Sequence, residues 1–346
     1  MKLIIIGNRG GTNVGECFER AAITLGLDVH LIESRLAMEA PTIMRQFNWH
    51  LRGRRPSHLQ IFSEAVVEMC RHWRPHLLLS TGVAPLGRMA LEHIRAEGIS
   101  TFNYLTDDPW NPAHRASWFL VALQAYKHIL TPRRAIVDDL KQLGCASVSF
   151  LPFAYDPELH YCEALVNNSQ FTRYTDEITF VGAGDRDRVP YIKSLIHSGF
   201  QVGLYGSFWD RFDATRELTR GQIDVPTLRR VTNSAKVNLC LVRRANRDGH
   251  VMRSFEIPAM GGCMLTEDTP EHREIFGAEG EAVVYFRTID EMIARLRWLL
   301  DHPDERLRLA TAAHRLITGG QHTYRDRLIT MLEHASTLSS QSRQPV

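Results

Sequence analysis

The chain is short of cysteine, and the six it has are scattered. Cys17, Cys70, Cys145, Cys162, Cys240 and Cys263 form no C-x-x-C pair and stand at no zinc spacing from a histidine. Neither a disulfide framework nor a structural zinc site is expected. The thiols read as small buried hydrophobes of a reduced compartment. Long apolar runs are also missing. No stretch approaches the roughly 18 apolar residues that span a bilayer. The opening MKLIIIGNRGG is far short of a secretory core. A cytoplasmic location is the expectation, with no transmembrane segment and peripheral membrane contact left open. Charge of one sign is not in excess: the formal net charge is +2, so the strong positive field that a nucleic-acid partner calls for is absent. No short internal repeat is visible.

What is present suits a large globular enzyme. With 346 residues, 44% apolar and 23% charged, the chain is too long for one open α/β core and sufficient for two. Short apolar runs ending at glycine or polar residues alternate with helical spacing. In the first half the strands are expected at Leu3–Ile6, Asp28–Ile32, His76–Ser80, Ser100–Tyr104, Lys127–Thr131 and Ser147–Leu151. A second set follows at Ile178–Val181, Val202–Tyr205, Val237–Val242, Cys263–Thr266 and Ala282–Phe286. Such alternation implies parallel sheets with helices on both faces, that is, two Rossmann-like doubly wound domains. The expected boundaries are 1–155 for the first domain and 156–174 for a linker carrying Asn167-Asn168-Ser169-Gln170. A second domain over 175–318 follows, then a C-terminal helix and frayed tail over 319–346.

The segment richest in chemistry runs from Asp248 to Thr266. A strand ends near Val242, a loop of Arg and Asp follows, and a short helix is expected to start at Ser254 as its N-cap. Pro258 is tolerable in a first turn, and Gly261-Gly262 ends the helix. A helix start offers free N–H groups to an anion, and Arg253 adds a planar fork for phosphate oxygens. Glu256 either accepts two hydroxyls of a ribose diol or merely satisfies the helix dipole. Gly182 and Gly184, with Arg186 beside them, form a loop where backbone and guanidinium can approach phosphate; a plain tight turn fits as well. Arg243, at a strand's carboxyl end, faces a diphosphate or solvent. His250 lies inside the motif.

The first half offers less. Asn8, Gly10 and Gly11 follow the first strand, but the glycines miss the G-x-G-x-x-G spacing, which leaves an NAD-dependent oxidoreductase as the weakest alternative. Asp107 and Asp108 stand at another strand's carboxyl end. They read as an acceptor base or hydroxyl ligand, or as a turn, since Asp-Pro favours one.

The string Arg253-Ser-Phe-Glu-Ile-Pro-Ala-Met-Gly-Gly-Cys-Met-Leu-Thr266 resembles the donor-site motif of the spore-maturation-protein-like glycosyltransferases. These are related to the family 4 retaining glycosyltransferases of GT-B architecture. In family 4 two glutamates are separated by seven residues. Glu256 matches the second, and Asp248 stands one methylene shorter in place of the first. The resemblance covers about 178–334. It implies two Rossmann-like domains facing a central cleft and a nucleoside-diphosphate sugar as co-substrate. It further implies retention of anomeric configuration, with no separate cofactor and no metal. It places Asp248 on the donor sugar and Glu256 on the ribose, with Ser254, Phe255, His250 and Gly262 around the donor. Asn8, Gly10, Gly11 and Asp107 fall on the acceptor side or cleft floor. Asp248, Arg253 and Asp108 are the expected catalytic residues. The acceptor class stays open among glycan, lipid-linked, protein and small-molecule hydroxyls. A sugar-nucleotide epimerase and a non-catalytic sugar-nucleotide-binding protein are the rival readings.

Overall fold

The computed structural model describes residues 1–39, 48, 53–163 and 176–341; the rest of the expected linker, 164–174 with its Asn167–Gln170 run, and the end of the tail lie outside the described residues. The chain divides into two compact units. The first comprises Met1–Pro152, Ala245–Arg247 and Tyr324–Val346; the second comprises Phe153–Arg244 and Asp248–Thr323.

The first unit is built on β1 (Lys2–Gly7), β2 (Asp28–Glu33), β3 (Leu77–Thr81), β4 (Ser100–Tyr104), β5 (His128–Thr131) and β6 (Val148–Phe150). They form one parallel sheet in the order β2-β1-β3-β4-β5-β6. Leu3, Ile4, Ile5 and Ile6 are fully buried, as a central parallel strand covered on both faces requires. The accompanying helices are α1 (Val14–Thr24), α2 (Leu59–Trp73), α3 (Arg88–Ala96), α4 (Ser117–Leu123) and α5 (Val137–Gln142). In α1 the buried residues Cys17, Phe18, Ala21 and Ala22 recur at the three-to-four spacing of a helix stripe. Gly7 and Gly15 let this helix sit directly on β1: a Cβ on Gly7 would lie 2.8 Å from the Cα of Gly15.

The second unit holds β7 (Ile178–Val181), β8 (Val202–Tyr205), β9 (Val237–Cys240), β10 (Met264–Glu267) and β11 (Val284–Phe286) in the parallel order β11-β10-β9-β7-β8. Its helices are α6 (Val189–His197), α7 (Val225–Ser234), α8 (Arg253–Ala259), α9 (Pro270–Phe276), α10 (Ile289–Asp301) and α11 (Pro303–Gly319). Several starts carry their own caps. Asp224 accepts the Thr227 N–H at 2.9 Å, and Thr288 accepts that of Glu291 at 3.1 Å, each satisfying an orphan first-turn donor. A last helix, α12 (Tyr324–Gln341), belongs to the first unit and packs along α1. Tyr324 sets its ring edge on Phe18 at 5.2 Å.

The expected parallel α/β layout is thus what forms. No helix is expected from the sequence at α2, α4, α5 or α9, yet each forms. Read from its β8 edge, the second sheet repeats the winding of the first, with its opening strand between its second and third. That arrangement puts a topological switch point between β1 and β3, and another between β7 and β9. Loops at the carboxyl ends part there, and α/β sheets bind their ligands at such points.

Candidate functional site

The switch point of the second unit is organised by a buried arginine. The loop after β7 carries Gly182, Gly184, Asp185, Arg186 and Arg188; the loop after β9 carries Arg243 and Asp248. Arg188 is 7% exposed. It donates to the carbonyl of Ala183 at 3.1 Å and to that of Leu241 at 2.9 Å, which ties the two loops together. Burial, and after it the charge of Arg243, pulls its guanidinium below the ordinary arginine value. Asp185 Oδ1 accepts the Arg188 N–H at 2.9 Å, and its Oδ2 lies 3.7 Å from Arg243 Nε. The Arg243 N–H reaches Asp248 Oδ2 at 3.3 Å. Two arginines and two aspartates therefore share the carboxyl ends of β7 and β9. Arg186, expected beside the donor, is exposed; Arg188 is the one turned inward.

The glycines of this loop answer to a tryptophan. A Cβ on Gly184 would meet Trp209 Cδ2 at 2.8 Å, and one on Gly182 would meet the Phe180 ring at 3.0 Å. Trp209 is fully buried, and its Nε1–H donates to the Gly182 carbonyl at 2.8 Å. Packing alone thus requires glycine at 184, and at 182 leaves little room for anything larger. Gly262 is constrained in the same way, since a Cβ there would lie 2.7 Å from Asn238 Nδ2.

The α8 turn corrects two expectations. Met252, not Ser254, is the N-cap, and Pro258 lies in the last turn rather than the first. The N–H groups of Ser254, Phe255 and Glu256 already bond to the carbonyls of Val251 and Met252 at 3.0–3.1 Å. They are not a free cradle for a diphosphate. Ser254 fails as a cap because its hydroxyl is taken. It accepts the Val251 N–H at 3.1 Å and meets His272 Nε2 at 2.8 Å. His272 Nδ1 faces the Glu267 carbonyl at 2.8 Å; a carbonyl only accepts, so Nδ1 carries the proton and Nε2 receives that of Ser254. Burial lowers this imidazole to about 4.

Glu256 ends in a buried cluster. Arg253 Nη1 lies against its Oε2, and His160 Nε2 stands 3.4 Å from its Oε1. His160 Nδ1 accepts the Asp156 N–H at 3.1 Å, so its proton sits on Nε2, facing the carboxylate. Neither Glu256 nor His160 exposes any side-chain surface, whereas Arg253 is 23% exposed and also donates to the Val181 carbonyl at 3.2 Å. Of these two partners of the Glu256 carboxylate, only Arg253 reaches solvent. His160 lies in the stretch expected as linker, whose described part, Asp156–Glu163, belongs to the second unit, as do Phe153–Tyr155, expected in the first domain; nothing in its local sequence marks it. Two other expected donor contacts are interior. His250 accepts the Phe153 N–H at 3.1 Å through Nε2, and Phe255 packs its ring between His250 and His322. Both fix the motif's backbone from behind.

In the first unit the loop after β1 is closed by its own helix. The Gly10 N–H bonds to the Glu16 carboxylate, Asn13 Nδ2 bonds to the Gly10 carbonyl, and Asn8 Oδ1 accepts the Arg35 N–H at 3.2 Å. Gly10 and Gly11 adopt φ of +94° and +59°, a region glycine enters without cost. A carboxylate on the N–H that a dinucleotide phosphate would use speaks against the NAD alternative. Asp108 corrects another expectation. It is 2% exposed; Oδ1 accepts the Trp110 N–H at 2.9 Å and Oδ2 pairs with Arg247 Nε at 2.6 Å. With both oxygens engaged it anchors the loop and is not poised as an acceptor base. Asp107 Oδ1 accepts from Asn246 Nδ2 at 3.0 Å.

Comparison with known proteins agrees with this geometry. Residues 188–333 match a family model described as glycosyl transferase-like. No curated protein matches the sequence. Among solved structures, the sucrose-phosphate synthase of Thermosynechococcus elongatus is 13% identical, with 98% of this chain and 99% of that chain covered at a TM-score of 0.72. Anabaena HepE, solved with UDP and glucose, is 12% identical over 98% and 100% of the two chains, at 0.65. A Listeria monocytogenes protein described as a UDP-N-acetylglucosamine 2-epimerase is 12% identical over 96% and 95%, at 0.59. These likenesses give the chain the GT-B fold. Among the described residues, no helix is long and apolar enough to cross a membrane.

Proposed function

We propose that the chain is a glycosyltransferase of the spore-maturation-protein-like group. In this reading it moves a sugar from a nucleoside-diphosphate sugar, with UDP as nucleotide, to an acceptor hydroxyl with retention of configuration. The observation that carries the reading is the buried Glu256, paired with Arg253 within the stretch that matches the glycosyl transferase-like model. A ribose diol donates two hydrogen bonds, and a carboxylate accepts them. The diol takes the place of Arg253 on Glu256, and the released guanidinium turns to the diphosphate. Arg243, with Arg188 behind it, completes the positive field on the leaving group, and stabilising that charge is the main catalytic task. Asp248 faces the sugar beside Arg243. The reaction needs neither metal nor separate cofactor on this reading, and the setting is cytoplasmic.

The test is titration calorimetry of the full chain with UDP, GDP and dTDP. Wild type is expected to bind UDP saturably, and Glu256→Gln to bind it at least about tenfold more weakly. Equal affinity in the two proteins removes the ribose role. The Listeria likeness keeps an epimerase in view as a second reading. Incubating UDP-glucose and UDP-N-acetylglucosamine without acceptor separates the two, since only an epimerase then yields the epimeric sugar nucleotide.

A further inference from the structure

A pocket of about 630 Å³ opens in the first unit between the loop after β4, the end of α5 and Arg247. It lies outside the donor motif, and its wall combines three features. The first is apolar area, from the partly buried indole of Trp110. The second is a chain of planar polar groups: Asp108 Oδ2 to Arg247 Nε at 2.6 Å, then Arg247 Nη1 to Asp139 Oδ2 at 2.6 Å, with the exposed amide of Gln142 alongside. The third is strain. Arg247 holds φ at +52°, a left-handed backbone that a branched or long side chain seldom adopts and that clusters at ligand clamps.

These features select a ligand class. The Arg247–Asp139 contact joins Nη1 to Oδ2, and a guanidinium carries further N–H donors and a carboxylate further acceptor positions. A sugar hydroxyl is both donor and acceptor, so adjacent hydroxyls satisfy both. Two carboxylates against one guanidinium leave the rim negative, which disfavours phosphates and other anions. An indole suits the C–H face of a pyranose, because it is apolar in body and polar only at its edge.

We propose that this pocket binds a neutral pyranose ring through Trp110, Gln142 and the Arg247–Asp139 pair, and that it serves as an acceptor subsite. The word acceptor rests on the transferase reading; the sugar binding does not. The test is saturation-transfer NMR on the full chain with the methyl glycosides of glucose, galactose, mannose and N-acetylglucosamine, and with glucose 6-phosphate as the charged counterpart. At least one glycoside is expected to bind, and the phosphate to bind more weakly. Trp110→Leu should weaken that glycoside by about tenfold and Gln142→Ala by about fivefold, with UDP affinity unchanged in both. If Trp110→Leu does not fold, Gln142→Ala and Asp139→Asn decide. No binding by any glycoside, or binding that these substitutions leave intact, overturns the proposal. Glycoside binding in a chain that ignores UDP would keep the pocket and remove the transferase reading; UDP binding without glycoside binding would do the reverse.

Discussion

Glu256 and His160 face one another in the interior of the second unit, carboxylate oxygen to imidazole Nε2 at 3.4 Å, with no exposed surface on either side chain. A buried carboxylate deprived of a donor retains its desolvation cost. His160→Ala is therefore expected to destabilise the chain by about 1–3 kcal/mol. Adding Glu256→Gln should recover part of that loss, because the neutral amide needs less compensation. Urea unfolding of wild type, both single variants and the double variant measures the coupling. Strictly additive losses would show that the two groups do not interact.

Acid should loosen the fold through two histidines. Burial holds His272 at about 4 and, aided by the neighbouring His334, holds His128 at about 4 as well. Both values lie below the roughly 6.5 of an unfolded chain. Between these pH values the unfolded state binds more protons, so stability falls as pH drops from about 6.5 to about 4 and is level with respect to these groups below that. For fully buried His272 the loss amounts to about 3 kcal/mol. Urea midpoints at pH 7.5 and pH 5 should therefore differ less in His272→Asn than in wild type. An equal pH effect in both proteins would remove His272 as a source.

Gly184→Ala should cost about 1–3 kcal/mol through overpacking, since its methyl would press on Trp209 at 2.8 Å. Trp209→Phe in the same chain should relieve part of the clash. Differential scanning calorimetry of wild type and these two variants tests this, and a Gly184→Ala protein that melts with wild type would refute it.

The strands were legible because burial on both faces leaves an apolar signature along the chain. Leu3–Ile6 and Leu77–Leu79 announce themselves in this way. The helix α2 was not, although its buried positions Leu59, Phe62, Val66 and Cys70 keep helical spacing; charged residues interrupt them and no cap marks its start. Within the Asp248–Thr266 stretch, sequence does not show which side chains turn inward. Ser254 looks like an N-cap until His272, a partner from the next helix, claims its hydroxyl. Arg186 and Arg188 are equivalent as letters, and only the carbonyls of Ala183 and Leu241, brought together by the sheet, choose between them. His160 meets Glu256 through tertiary folding alone.

That choice between arginines gives a contrast to measure. Arg188→Gln forfeits two charge-assisted bonds across the switch point and should weaken UDP binding by about tenfold, with some loss of stability. Arg186→Ala removes an exposed side chain and should change affinity by less than about twofold. Fluorescence or calorimetric titration with UDP distinguishes them. The opposite ranking would return the donor contact to Arg186.

The placement of α12 has a consequence for how the protein is made. The first unit opens the sequence, yet the helix that covers Phe18 on α1 is translated after the whole of the second unit. While the ribosome is still at work, the nascent first sheet exists with one flank bare, and Phe18 lacks the Tyr324 ring. The second unit is translated in full before the first has its last helix. Completion of the first unit thus waits on the synthesis of α12, and in that interval a chaperone would find its client.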